Sequence, residues 1–234
     1  QTISLIAEGT IGAATGAGAV SVDASDAVNA DADDNNIFLE ATNAASLPLG
    51  IVDAGTGDVD IDATGVSITD ANDAAVNVVG ATLEVVSAAG IGTATDAIET
   101  DLATLTVTSN TFGVVHAINT NALTTTGTST GTHIDITASS PLTIGAAGWS
   151  APGNIDFTAE DDGGDDDHLT INGVVDSTGN GTITLRGGTN VAVNARVEST
   201  LGTIIAIADY DHSNRGTLTD FVGGNFITDN LFAG

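Results

Sequence analysis

The sequence predicts an all-β chain wound as a parallel β-solenoid. Three observations carry this: a recurrent five-residue alternation of apolar and polar residues, an apolar inventory that is almost entirely aliphatic, and turn-forming residues between the alternating runs. The alternation reads apolar, any, apolar, any, small or polar. It starts at Ile3 (ISLIA), Val20 (VSVDA), Ile37 (IFLEA), Val59 (VDIDA), Val76 (VNVVG) and Leu105 (LTVTS). It returns at Ile134 (IDITA), Ile155 (IDFTA), Ile183 (ITLRG), Val191 (VAVNA) and Ile205 (IAIAD). A period of two in β-branched residues marks a strand with one buried face. The intervening Gly, Asn, Asp, Ser and Thr favour turns. No amphipathic helical period is sustained, and Asp96–Leu105, the nearest candidate, reads as strand or irregular chain.

Successive motifs start 8 to 29 residues apart, most of them 17 to 29. Self-similarity near 20 residues points to a solenoid, in which stacked coils bury together a face that none could bury alone. Eleven motifs imply roughly 11 short coils. The alternative is two immunoglobulin-like β-sandwiches, which the turn spacing also suits. Aromatic residues are only 3% of the chain, few for two sandwich cores, so the solenoid is preferred. The expected core includes Val59, Ile61, Ile134, Ile136, Ile155, Phe157, Ile183 and Leu185, with Asp60, Asp135, Asp156 and Thr184 facing solvent. The solenoid is expected over residues 1–220. Residues 221–234 form an apolar tail with a Gly223–Gly224 hinge.

Charge narrows the function. The 234 residues include 31 acids and three arginines (Arg186, Arg196, Arg215), with no lysine, for a formal net charge of −28. Such a surface repels nucleic acid and anionic lipid and attracts cations. With 41% hydrophobic residues, a core still forms. There is no cysteine, so thiolate chemistry and disulfides are excluded. No apolar run approaches the roughly 20 residues of a membrane-spanning helix, and no membrane insertion is expected. A chain that opens at Gln1, without initiator Met or signal peptide, is expected to be processed or cut from a longer protein.

From Gly90 onward the text resembles the repeats of giant bacterial surface proteins of the filamentous-haemagglutinin type. The matching phrases are GIGTATDAIETDLATLTVTSN (90–110), INTNALTTTG (118–127), IDITASSPLTIGA (134–146), HLTINGVVDSTGNGTITLRGG (168–188) and TNVAVNARVESTLG (189–202). The resemblance covers about half the chain, and such proteins are usually far longer. It implies a right-handed β-helix, secretion to the cell surface, and a role in adhesion or coating. It carries over no catalytic or ligand-binding residues.

Three acidic clusters are candidates for calcium, which takes clustered oxygen ligands. They are Asp31 to Asn36; Asp161, Asp162, Asp165, Asp166 and Asp167 around Gly163–Gly164; and Asp209, Asp211 and Ser213, with Asp220 at the twelfth position. Asp209 and Asp211, then Asp165 and Asp167, are the predicted metal ligands, and Ca²⁺ is the one cofactor considered. The competing reading is solvated turn acids. The histidines (His116, His133, His168, His212) show no ligand spacing. His168 alone adjoins an acidic cluster.

No nucleophile elbow, phosphate loop or dinucleotide fingerprint occurs, and no catalytic or cofactor-binding residue is predicted. Polysaccharide-degrading enzymes share β-helical folds but need carboxylates at fixed separation, and an acidic glycan would meet this chain's charge. Neutral glycans would need exposed aromatics, of which Trp149 and Tyr210 are the large candidates. The expectation is a non-enzymatic extracellular structural or adhesive protein: a surface coat, stalk or self-assembling fibre. The alternative is a calcium-dependent carbohydrate-binding or adhesion module. Partners are further copies in a head-to-tail homopolymer, cell-surface components or a glycan, and not nucleic acid. Phe221, Phe226, Ile227, Leu231 and Phe232 are the predicted self-assembly residues, closing over their own last coil or docking on a neighbour.

Overall fold

Alternating β-branched residues pair strand on strand in parallel among the described strands, and the chain divides into two units, Gln1–Thr120 and Asn121–Gly234. The computed structural model describes residues 1–14, 18–23, 26–41, 45–110, 113–163, 166–209, 217–220, 226–227 and 230–233, with the last two segments, and residues 109, 110 and 220, described by backbone alone. Among the described residues there is no helix, and so none long and apolar enough to cross a membrane.

Unit 1 contains β1 (Ile3–Ile6), β2 (Val20–Val22), β3 (Val28–Asp31), β4 (Ile37–Ala41), β5 (Ser46–Asp53), β6 (Asp58–Ala63), β7 (Ser67–Asp70), β8 (Val78–Ser87), β9 (Ile98–Asn110) and β10 (Val114–Asn119). One ladder runs β2–β4–β6–β8–β9, another β1–β3–β5 and on to β7 and β8. In the first, Ile37, Val59, Leu83 and Leu105 are successive register partners, as are Leu39, Ile61, Val85 and Val107. All eight are buried.

Unit 2 contains β11 (Leu123–Thr128), β12 (His133–Ala138), β13 (Leu142–Ala151), β14 (Asn154–Ala159), β15 (His168–Ile171), β16 (Val175–Ser177), β17 (Ile183–Gly187), β18 (Asn190–Val193), β19 (Val197–Ser199), β20 (Thr203–Ala208), β21 (Leu218–Asp220), β22 (Phe226–Ile227) and β23 (Asn230–Ala233). Three ladders build it: β12–β14–β17–β20–β23, β11–β13–β15–β18–β21, and β13–β16–β19–β22. Each coil therefore contributes three strands. Ile134, Ile155, Ile183 and Ile204 stack on one face, Leu142, Leu169 and Val191 on the next, Trp149, Val175 and Val197 on the third. All are buried. Trp149 packs against Phe157, ring centroids 6.2 Å apart and tilted by 55°.

The fold is the expected parallel solenoid, with about nine turns. The eleven motifs outnumber the turns because one coil carries motifs on more than one face: Ile183 and Val191 belong to adjacent strands of the same turn. All eight predicted core residues are buried. Of the four predicted outward residues, Thr184 departs from expectation and is only 5% exposed. Its register partners are Asp156 and Ile205, so it is flanked by a strand neighbour on both sides. The IAIAD phase is also shifted by one, so that Ile204 and Ala206 face inward while Ile205 and Ile207 are half-exposed. Trp149, at 1% exposure, is a core residue and not an exposed stacking platform for a glycan. Tyr210 lies outside the described residues.

Corners explain the richness in Asn and Asp. Where the backbone turns and its own ladder lapses, side-chain oxygens accept the amide of the next coil. In unit 1, Ile51 N donates to Asn29 Oδ1 (2.8 Å), Thr56 N to Asp34 Oδ1 (3.0 Å) and Asp58 N to Asn36 Oδ1 (3.0 Å). In unit 2, Thr182 N donates to Asn154 Oδ1 (2.9 Å) and Thr217 N to Asn190 Oδ1 (2.9 Å). Backbone amides at these exposed positions are thus paired within the chain. Corners also approach closely. Gly153, Gly181 and Gly202 repeat on successive coils, and a Cβ on any of them would fall onto a backbone carbonyl oxygen of the preceding coil.

Candidate metal centre

Coil length sets up the site. Ile155 to Ile183 spans 28 residues, whereas Ile134 to Ile155 and Ile183 to Ile204 each span 21. Much of the excess lies in the corner Glu160–Asp167 between β14 and β15, against Gly188–Thr189 alone between β17 and β18. Both ends of the long corner are held in the ladder. Glu160 N donates to Ala138 O (2.8 Å), while Asp167 O accepts Thr189 N (2.8 Å) and Thr189 Oγ1 (3.0 Å). Asp166 O accepts His168 N (2.7 Å) and Ser140 Oγ (3.2 Å). The corner turns at Gly163, at φ 88°, whose N–H donates to Asp161 Oδ1 (2.6 Å).

This corner gathers three carboxylates. One ligand-capable oxygen from each of Asp162, Asp166 and Asp167 lies within 4.8 Å of the others. Asp162 and Asp166 are exposed; Asp167 is fully buried, at 0% exposure. Neither Asp167 carboxylate oxygen has a hydrogen-bond partner among the described residues. The cover comes partly from Gly188 on the next coil, where a Cβ would sit 2.8 Å from both Asp167 Cβ and Asp161 Cα. A buried, unsatisfied carboxylate is costly unless a counter-charge or donor reaches it. Like charges this close add repulsion.

Of the predicted ligands, Asp167 belongs to this cluster. Asp165 and Asp211 lie outside the described residues. Asp209 stands at another corner, half-buried with φ 59°, its N–H donating to Thr189 O (3.1 Å), and it joins no carboxylate cluster among the described residues. Asp162 and Asp166 were legible as members of the acidic run but were not singled out. In the Asp31–Asn36 run, Asp34 and Asn36 serve as the corner acceptors described above. His168 Nδ1 lies 2.8 Å from Thr189 Oγ1 and 3.0 Å from Asn190 Nδ2, so it is engaged within the ladder. Of the self-assembly residues, Phe221 lies outside the described residues. Phe226 and Ile227 pair through their backbone with Val197 and Glu198, and Leu231 and Phe232 with Ile204 and Ile205, adding a further turn to unit 2.

Unit 1 holds a second gathering of acids that the sequence reading missed. Asp73, Asp96 and Glu99 line a concavity of about 430 Å³ with Thr95 and Ile118. Asp96, though exposed, is held above its ordinary pKa by desolvation first, then by the charge of Asp70, a hydrogen bond with Asp70 and the charge of Asp73. Glu99 is raised by burial first, offset by its own backbone hydrogen bond, and then by Asp70 and Asp96. Beside them Asn77, fully buried, holds Nδ2 2.6 Å from Asp70 Oδ1 and 3.0 Å from Leu49 O, and its Oδ1 accepts Glu99 N (2.9 Å). No spacing marked it in sequence: the coil interval here is 22 to 23 residues, whereas Asp70 and Asp96, like Asp73 and Glu99, lie 26 apart.

Comparison with protein-family models, curated proteins and solved structures finds no match to this chain. The class that the fold defines is the parallel β-solenoid. Its distinctive chemistry is a surface of carboxylates, concentrated at one corner around a buried, unpartnered aspartate.

Proposed function

We propose that this chain is an extracellular structural and adhesive segment, part of a cell-surface coat, stalk or self-assembling fibre, and that its work is mechanical and non-enzymatic. The observation that carries the reading is the coil-on-coil stack: in unit 2 the equivalent strands β12, β14, β17, β20 and β23 pair in parallel register, one on the next. A parallel strand edge of this kind can pair head-to-tail with the same kind of edge on another copy. A heterologous contact of that kind propagates filaments when its rotation does not close. The outward acids suit a cell-exterior surface kept in solution by net charge. The resemblance of 90–202 to filamentous-haemagglutinin-type repeats supports the same assignment.

Electron microscopy and sedimentation of the intact chain over a range of concentrations test the proposal. Filaments are expected, and deletion of residues 221–234, which removes β22 and β23, should leave a folded chain that does not assemble. An intact chain that stays monomeric at high concentration overturns the fibre reading.

A further inference from the structure

We propose that Asp162, Asp166 and Asp167 form a binding site for one hard divalent cation, Ca²⁺, which locks the Glu160–Asp167 corner of unit 2. The argument starts from Asp167. Its side chain is fully buried, yet both carboxylate oxygens lack a partner among the described residues. Native structures rarely leave such a group unsatisfied without an ion, water or chemical role. The oxygens of Asp162 and Asp166 lie within 4.8 Å of it and of each other, a spacing that repels without a cation and converges on one with it.

The donor set selects the ion. All three ligands are carboxylates, which suit hard cations over zinc or copper. His168 has Nδ1 engaged with Thr189 and Asn190. Asp162 and Asp166 are exposed, so water can complete the shell. Ca²⁺ accepts six to eight oxygens in irregular geometry, whereas Mg²⁺ demands a near-octahedral one. The site stands independently of the assembly reading.

Its consequence follows from the backbone. Asp166 O accepts from Ser140 on one side, and Asp167 O accepts from Thr189 of the following coil. An ion that fixes both carboxylates fixes the residues through which three coils of unit 2 are tied. The long corner, which interrupts an otherwise tight turn, then becomes a clamp.

Calorimetric titration of CaCl₂ into the intact, chelator-treated chain is the test. It is run at about 0.15 M NaCl, where diffuse attraction is screened beyond about 8 Å. One saturable site is expected, weakened about tenfold or more by Asp162→Asn and by Asp167→Asn. Glu84→Gln, which removes an exposed charge in unit 1, should leave it unchanged. Ca²⁺ should also slow amide exchange at Thr189 and Asn190 in the unaltered chain but not in Asp162→Asn. Asp162 is exposed, so that variant keeps the fold and decides the matter even if Asp167→Asn does not. Absence of a saturable site, or a site that Asp162→Asn leaves at full affinity, overturns the proposal.

Discussion

Asp176 and Glu198 are register partners on neighbouring coils of unit 2, and Arg196 Nη1 sits 2.5 Å from the Glu198 carboxylate. Two acids are therefore stacked at ladder spacing with one guanidinium to serve them. The pattern recurs: Glu40 pairs with Asp62, Asp60 with Glu84, and Asp135 with Asp156. Parallel, in-register stacking places equivalent positions side by side, so an acid repeated at the coil interval becomes a row of like charges, which destabilises.

Stability should consequently rise on mild acidification and with salt. Asp176 is held above its ordinary pKa of 3.8, by burial first and then by Glu198, with Arg196 opposing. Asp96 and Glu99 are raised too. A raised folded-state pKa means that the folded chain holds the proton more tightly than the unfolded one. Its contribution is complete below the ordinary value and is lost as pH rises through the elevated one. Thermal melts without divalent ions should show a higher Tm at about pH 4.5 than at about pH 7.5, and the gap should shrink as ionic strength rises. A Tm indifferent to both would show that the acidic rows are not strained.

Asp176→Asn should stabilise unit 2 at neutral pH. The gain is expected at the low end of about 0.2–1 kcal/mol, because the side chain is partly open to solvent and its repulsion is screened. Chemical denaturation at low ionic strength is the sensitive measurement, and Ala192→Ser, a neutral outward change on β18, is its control.

Phe157→Ala should cost about 3–5 kcal/mol. The ring is fully buried, stacked in the ladder between Ile136 and Leu185 and packed against Trp149. Trp149 fluorescence reports both the loss of stability and the repacking. Val174→Ala, at a 40% exposed position, should change little.

Gly181→Ala should cost about 1–3 kcal/mol, although the added methyl is small and the position lies in a corner. The new Cβ would fall on the Gly153 carbonyl oxygen, so the coils must part. Gly65→Ala is the informative comparison: nothing lies near its Cβ, and only its positive φ of 100° resists the change. Denaturation midpoints of the two variants separate steric from conformational cost.

Asn77→Leu should be more damaging than its size implies, by about 1–3 kcal/mol. It leaves Glu99 N without its acceptor inside unit 1, while the Leu49 carbonyl keeps only the N–H of Ala71 (2.8 Å). Hydrogen exchange at the Glu99 amide should accelerate while the amides of unit 2 are unaffected.

Strand positions were legible because alternation survives in one dimension: Ile134, Ile136, Ile155 and Phe157 declare their face locally. Phase failed at Ile204–Ile207, where four apolar residues in a row satisfy either register. The coil count failed because three strands share a turn, and nothing local says which face a motif joins. Asp167 was legible as an acid in an acidic run. Its burial was not, because the cover comes from Gly188, a coil away in sequence. The Asp70, Asp96 and Glu99 gathering was hidden for the same reason, since the contacts depend on the repeat length, which varies from coil to coil.

The three-strand coil of unit 2 also makes length an inheritable variable. Removing the 21 residues 183–203, one whole turn, would bring Ile204 to the register position beside Ile155 that Ile183 now occupies. Leu218 would likewise take the place of Val191 against Leu169, and Phe226 that of Val197 against Val175. Unequal recombination between such segments yields shorter or longer chains in which the stacked aliphatic positions still meet aliphatic partners. A gene of this architecture can therefore drift in size while its core stays continuous, an option closed to folds whose core is shared by the entire domain.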